Sequence, residues 1–380
     1  YKRLDKVIEF RVSGDLTLKE KIENMFQQVV YTVNQPAAAR GNQSVFWNIA
    51  YFDKYYFEAI FKGFFFPDGD KPCWESVNVL QKLFMKWFNK ERTHEVMTFP
   101  VETFNLLNDG NGDYKDKENA EFCAEMLAEG HSFFIYQSDS PDALASCCRL
   151  RNALENNEFS YTLGAGGIET GSKGVITLNL NRIVQDWKNE GCKVTLKERI
   201  TEITERVHKY LSAFNDIVWD YYNNGMLQIY NEGFINLDKQ FLTIGINGFV
   251  EGAEFLGYRI SPDDENYKQY AIDILTTIKD LNKRDRQPHC KFNTEFVPAE
   301  SLGVKNAKWD KQDGYWVPRD VYNSYFYIVE DTHTTPLEKF ELMGKDFTGC
   351  LDGGSALHMN LDEHLSKAQY EMLMKVAVKD

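Results

Sequence analysis

The chain has 380 residues, 43% of them hydrophobic and 14% aromatic, and a formal net charge of −14. The apolar content excludes a disordered chain and supports a large core. The acidic balance excludes a basic nucleic-acid-binding surface, while helix N-termini and a few cations leave nucleotide binding open. No apolar run approaches the length of a membrane span, and seven cysteines without a paired spacing fit a reducing cytoplasm rather than a disulfide framework.

A chain of this length holds two or three average domains or one large α/β barrel. Tyr1 opens in charged sequence with neither an initiator Met nor a signal peptide, and Val378-Lys379-Asp380 ends a helical pattern without a stop signal, so a fragment of something longer is expected. Apolar spacing predicts helices over Leu16 to Val33 (with Asp15 and Thr17 as start signals and Asn34-Gln35-Pro36 as the stop), Glu75 to Lys90, Ala120 to Ala128, Leu196 to Tyr222, Glu265 to Lys283 and Leu365 to Val376. Short β-like runs lie between them at Phe133 to Gln137, Ser160 to Leu163, Val175 to Leu180, Leu242 to Ile246, Lys291 to Val297 and Tyr325 to Val329. This alternation predicts an α/β fold built on a barrel or a large sheet. Asn108 to Lys117, rich in Asp, Gly and Asn, reads as a solvated loop, because a calcium loop would need a bidentate Glu at its twelfth position.

Several segments carry candidate chemistry. In Asn34 to Asn48, small and polar residues give way abruptly to aromatic ones, and Arg40, Gln43 and Asn48 either line a cavity or bond a turn. The run Ala145-Ser146-Cys147-Cys148-Arg149-Leu150-Arg151 sets two adjacent cysteines beside two arginines, before a stretch with five glycines in eleven residues, Gly164 to Gly174. Neighbouring cations favour thiolate, and glycine permits close approach of backbone and ligand. Two small buried hydrophobes remain the alternative. In Val175 to Asn181, period-2 alternation predicts an apolar face of Ile176, Leu178 and Leu180 and a polar face of Thr177, Asn179 and Asn181 turned to a cavity. There Asn179 would bond a substrate hydroxyl or, alternatively, satisfy backbone groups. Pro298-Ala299-Glu300-Ser301-Leu302-Gly303 reads as a strand-to-helix junction whose free N–H groups suit a phosphate, or as an ordinary helix cap. His358, after Asp352-Gly353-Gly354, is a polar contact or a structural histidine. Acid–base pairs, a Ser-His-Asp triad, GxGxxG and a P-loop are absent.

Taken together these residues resemble the anaerobic (class III) ribonucleoside-triphosphate reductases, which are glycyl radical enzymes. The resemblance rests on ordered blocks across nearly the whole chain: 40–48, 146–151, 175–182, Gly245-Ile246-Asn247-Gly248-Phe249-Val250-Glu251, 298–302 and Gly353-Gly354. It implies a ten-stranded α/β barrel of two half-barrels with an internal finger loop, the whole of 1–380 being a barrel portion incomplete at both ends. It implies that Cys148 is the thiyl radical site and that Asn179 is the family's active-site asparagine. Gln43, Asn48, Ser146, Cys147, Arg149 and the Pro298, Ala299, Glu300, Ser301 and Leu302 block would bind substrate. A glycyl radical, four-cysteine zinc site and any ATP-binding cone belong outside this chain. The family's second cysteine is not identifiable, since Cys73 and Cys123 sit in the wrong contexts. Formate as reductant, ATP and dNTP effectors, a ribonucleoside triphosphate substrate, a radical-SAM activating enzyme and a homodimer complete what the resemblance implies. A formate-lyase or dehydratase relative, a non-catalytic nucleotide-binding relative and a Cys147-Cys148 redox protein are the alternatives.

Overall fold

The computed structural model describes all residues except 1–2, 37–43, 45–46, 142, 147–149, 154–170, 234, 297–299, 332, 354, 360, 362 and 380, and describes 13, 143–146, 150–153 and 300 by their backbone alone. The chain forms two compact units. The first comprises 1–147, 152–167 and 363–379, and the second 148–151, 168–362 and 380.

The first unit opens with helix α1 (Leu4–Val7) and an antiparallel hairpin of β1 (Arg11–Ser13) and β2 (Leu16–Thr17). Helix α2 (Leu18–Asn34) begins two residues after its predicted start, because Thr17 and Glu20 bond each other's backbone in a capping box. Then come β3 (Asn48–Phe52), α3 (Lys54–Phe61), α4 (Trp74–Glu91), β4 (Val101–Leu107), α5 (Lys117–Ala128) and β5 (Phe134–Ser138). The last three strands named form a parallel sheet in the order β3-β4-β5. Neither β3 nor β4 is predicted from sequence. Buried Glu102, Thr103 and Asn105 interrupt the apolar residues of β4, so this central strand shows neither clean alternation nor a continuous apolar run. Helix α5 starts earlier than predicted because Asp116 accepts from Asn119 N at its cap. Tyr51, Phe84, Met85, Phe88 and Phe104 centre the core.

The strands β6 (Ala143–Ser146) and β7 (Leu150–Ala153) pair with each other. The C-terminal helix Lys367–Lys379 also belongs to the first unit. It corrects the reading of 108–117 as a plain solvated loop. Tyr114 is buried and donates to Met374 O at 3.0 Å, and Lys375 Nζ lies 3.1 Å from Asp113, so one side of the loop packs on this helix.

The second unit runs β8 (Ser172–Asn179), α6 (Leu180–Asn189), α7 (Leu196–Asn223), α8 (Gln228–Asn231), β9 (Phe241–Asn247), α9 (Phe249–Phe255), α10 (Glu265–Arg284), β10 (Phe292–Glu295), α11 (Glu300–Gln312), α12 (Pro336–Leu342) and α13 (Lys345–Thr348). Its sheet is parallel, in the order β10-β9-β8, with Asn179 opposite Asn247 and Glu295 opposite Gly245. Leu178, Ile244, Ile246 and Leu275 build the core together with Phe249, which touches Tyr267, Tyr270, Phe296 and Phe326.

Three sequence expectations fare differently here. The polar strand face ends at Asn179, because the chain turns into α6 and both Leu180 and Asn181 are helical. The run Tyr325 to Val329 is not a strand. Side chains take its backbone groups instead: Tyr267 OH donates to Phe326 O at 2.6 Å, and Asn323 Oδ1 accepts from Val329 N at 3.2 Å. The run Ser160 to Leu163 lies outside the described residues. The fold is α/β with parallel sheets, and no ten-stranded barrel is seen among the described residues.

Candidate substrate site at the end of the second sheet

In parallel α/β sheets, ligands bind beyond the carboxyl ends of the strands. At that edge of the second sheet, β8 ends on Asn179 and β9 on Asn247, in register with each other. Asn179 caps α6, its Oδ1 accepting from Arg182 N at 3.2 Å. Its Nδ2 lies 3.0 Å and 3.1 Å from the two carboxylate oxygens of Asp310 on α11. Asp310 is fully buried. It also accepts from Asn181 Nδ2 (3.1 Å), Tyr322 OH (2.8 Å) and Arg182 Nε (2.7 Å), while the same guanidinium reaches Asp313 at 2.6 Å. The charge-assisted bonds from Arg182 balance the buried carboxylate, a condition that burying a charge requires. Burial first, and then Asp310, push the Tyr322 phenol up, so it stays protonated and donates.

Asn247 is consumed by structure. Its Nδ2 donates to Tyr322 O and Ser324 Oγ, each at 3.1 Å, and its Oδ1 accepts from Asn306 Nδ2 at 2.7 Å. Gly248, the next residue, has φ +72°, and a Cβ there would lie 3.2 Å from Asn179 Oδ1 and 3.1 Å from Asn181 N. Only glycine combines that conformation with such close approach to the Asn179 cap. Behind the strand ends, buried Glu251 on α9 accepts from Arg319 at 2.8 Å and from Asn323 N and Nδ2 at 3.1 Å and 2.8 Å. Burial raises its pKa, against the pull of Arg319 and Asn323.

Of the residues singled out from sequence, Gln43, Cys147, Cys148, Arg149, Pro298 and Ala299 lie outside the described residues, and Ser146 and Glu300 are described by backbone alone. Ser301 is exposed and Leu302 half-buried on the first turn of α11. Asn48 belongs to the other unit, at the amino end of β3, where its amide donates to Thr103 Oγ1 at 3.1 Å. His358 forms a paired backbone contact with the Tyr327 hydroxyl, N–H donating at 2.7 Å and O accepting at 2.8 Å. Cys73 precedes α4 and lies 3.0 Å from Glu75 Oε2, and Cys123 is buried in α5, where burial pushes its thiol up. Asp310, Tyr322 and Arg182 were missed as site residues. Asp310 and Tyr322 lie far from Asn179 in sequence, and their only local signal is an interruption of helical or apolar pattern. Among the described residues, no three His, Cys, Asp or Glu side chains are grouped to hold a metal ion, and no helix is long and apolar enough to cross a membrane.

Paired parallel strands ending on polar side chains, each followed by a helix, are the arrangement of an α/β fold whose ligand crevices lie beyond the strand ends. The chain belongs to the anaerobic ribonucleoside-triphosphate reductase family, a family of oxidoreductases, whose model matches residues 2–380. The anaerobic ribonucleotide reductase from Thermotoga maritima, solved in complex with dATP and CTP, is similar over 95% of this chain and 59% of its own, at 27% identity and a TM-score of 0.77. The same protein with dATP bound in the specificity site matches at 28% identity and a TM-score of 0.76, over 95% of this chain and 61% of its own. Another structure described as an anaerobic ribonucleotide reductase matches at 27% identity and a TM-score of 0.78, over 95% of this chain and 56% of its own. The chain therefore spans less than two thirds of these solved relatives. No curated protein sequence matches it.

Proposed function

We propose that this chain is the central catalytic portion of an enzyme that reduces ribonucleoside triphosphates to deoxyribonucleoside triphosphates without oxygen. The observation that carries the reading is the family match across 2–380, together with Asn179 at the carboxyl end of a parallel strand. In this reading the sheets belong to a ten-stranded barrel of two half-barrels, and Cys148 stands at the tip of a finger loop inside it. Cys148 gives up a hydrogen atom to a glycyl radical carried outside this chain. Its thiyl radical then abstracts the ribose 3′-hydrogen, the 2′-hydroxyl leaves as water, and formate supplies the two reducing electrons. Asn179 orients the ribose; Gln43, Asn48, Ser146, Cys147 and Arg149 contribute to substrate binding, and Pro298 to Leu302 hold phosphate at the start of α11. Zinc, as a structural metal, belongs to the region carrying the glycyl radical.

The whole protein works in the cytoplasm as a homodimer, takes ATP and dNTP effectors and receives its radical from a radical-SAM activating enzyme. The test is Cys148→Ala in the full-length enzyme. Deoxyribonucleotide formation is lost while nucleotide binding is retained, and the parent enzyme releases tritium from 3′-labelled nucleoside triphosphate. Near-normal turnover in the variant overturns the reading.

A further inference from the structure

Asn179 is held from two sides by groups of opposite hydrogen-bonding character. A carboxylate only accepts, so the Asp310 side of Asn179 must be its NH2 group; the Arg182 N–H only donates, so that side must be its oxygen. The orientation of this amide is therefore dictated by its partners. Asn179 Oδ1 is already engaged at the α6 cap. The two Asp310 oxygens, at 3.0 Å and 3.1 Å from the same nitrogen, lie close enough together to share one N–H, whereas the two N–H bonds of an amide diverge by about 120°. Among the described residues, one N–H of Asn179 is left over, on a half-buried side chain at the carboxyl end of β8.

We propose that Asp310 is a positioning residue that fixes Asn179 as a hydrogen-bond donor, so that Asn179 offers an N–H, and not its carbonyl, to an oxygen of the bound ribose. This rests on the reading that Asn179 faces substrate. Asp310 is suited to the task because it is itself immobile: it is fully buried, and Arg182, Asn181 and Tyr322 all donate to it. A donor aimed at a ribose oxygen assists departure of a hydroxyl as water more directly than an acceptor does, since it stabilises charge developing on oxygen.

The experiment exchanges the pair in the full-length enzyme. Asn179→Asp alone sets a second carboxylate against Asp310 and lowers both thermal midpoint and turnover. Asn179→Asp combined with Asp310→Asn restores one amide and one carboxylate and keeps an acceptor at the α6 cap. The midpoint then rises above that of Asn179→Asp but stays below the parent, because Arg182 still faces an amide at 310. Turnover stays ~100-fold down, as expected for a misplaced reactive geometry, because position 179 has no N–H. Recovery of turnover to within about threefold of the parent would overturn the proposal, since an acceptor at 179 would then suffice. Should the exchanged pair not fold, Asp310→Asn is compared in the parent and in the Asn179→Ala background. Asp310→Asn lowers kcat with little change in KM in the parent and has no further effect in the second background; equal losses in both backgrounds overturn the proposal. Tritium release from 3′-labelled substrate by the parent enzyme tests the underlying reading separately. Unchanged turnover in Asn179→Ala removes Asn179 from the site and overturns the donor assignment, while leaving the reductase reading standing.

Discussion

The sheets β3-β4-β5 and β10-β9-β8 share a plan, three parallel strands with a buried central strand, but they house carboxylates very differently. In the first sheet, Glu102 lies fully buried with the Tyr51 hydroxyl at 2.6 Å and His131 Nε2 at 2.8 Å, yet its Oε2 and both His131 ring nitrogens lack a well-directed hydrogen bond. At the second sheet, both oxygens of Asp310 receive donors from separate elements. A loosely satisfied buried cluster carries a cost in a core, while convergent donors around one acid fix several side chains at once. The second arrangement has the rigidity that a positioned substrate contact needs. It also separates the local surroundings of Asn179 and Asn48, both asparagines at strand ends: one amide is aimed by a buried acid, the other bonds a neighbouring threonine.

The largest expected effect tests whether the second unit depends on its aromatic centre. Phe249→Ala removes a fully buried ring that touches Tyr267, Tyr270, Phe296 and Phe326. It should lower stability by about 3–5 kcal/mol. Urea unfolding measures the loss, and hydrogen exchange should place it in β9 and α10 and spare β4. Protection lost equally from β4 would show that the two units unfold as one.

The carboxylates themselves give the next contrast. Asp310→Asn leaves Arg182 facing an amide and Asn179 held from the α6 cap alone, and should cost about 3 kcal/mol, somewhat softened because Arg182 is partly exposed. Glu102→Gln keeps an oxygen for the Tyr51 hydroxyl and gives up a poorly directed contact to His131 and a long one, 3.9 Å, to Arg92, and should cost about 1 kcal/mol. Equal losses in urea unfolding would erase the distinction between the two clusters.

The same contrast explains what was legible beforehand. Helices such as α4, α7 and α10 are long and strongly periodic, so their apolar faces predict them to within a residue or two. The edge strand β8 also announces itself, although its end was read two residues too far because Asn179, the cap of α6, continues an apparent alternation through Leu180 and Asn181. Strand β4 hides because a strand buried on both faces can carry Glu102 and Asn105 wherever a partner waits, and partners such as Tyr51 come from another strand. Asn179 was legible from its block of sequence as a polar residue of the strand. Asp310 was not, because the bonds that make it matter join residues more than a hundred positions apart.

The smallest effect concerns acid. In the second unit, Arg284 first and His208 next hold the Asp285 carboxyl down at about 2. Its folded value lies below that of an unfolded aspartate, so its contribution is fully present above about pH 4 and is lost as pH falls toward about 2. With the side chain partly open to solvent, that contribution is about 1 kcal/mol after screening. Buried Asp352 nearby, bonded to Asn282 and to Thr294 N, has the opposite sign: burial raises its pKa, so its contribution is present below the unfolded value and is lost as pH rises through the folded one. Asp53, capping α3 in the first unit, is likewise raised by burial. Subtracting the pH–stability curve of Asp285→Asn from that of the parent isolates the Asp285 contribution from these opposing slopes. The difference should shrink between about pH 4 and about pH 2. A difference that is flat across this window would show that the Arg284–Asp285–His208 contact does not persist in solution.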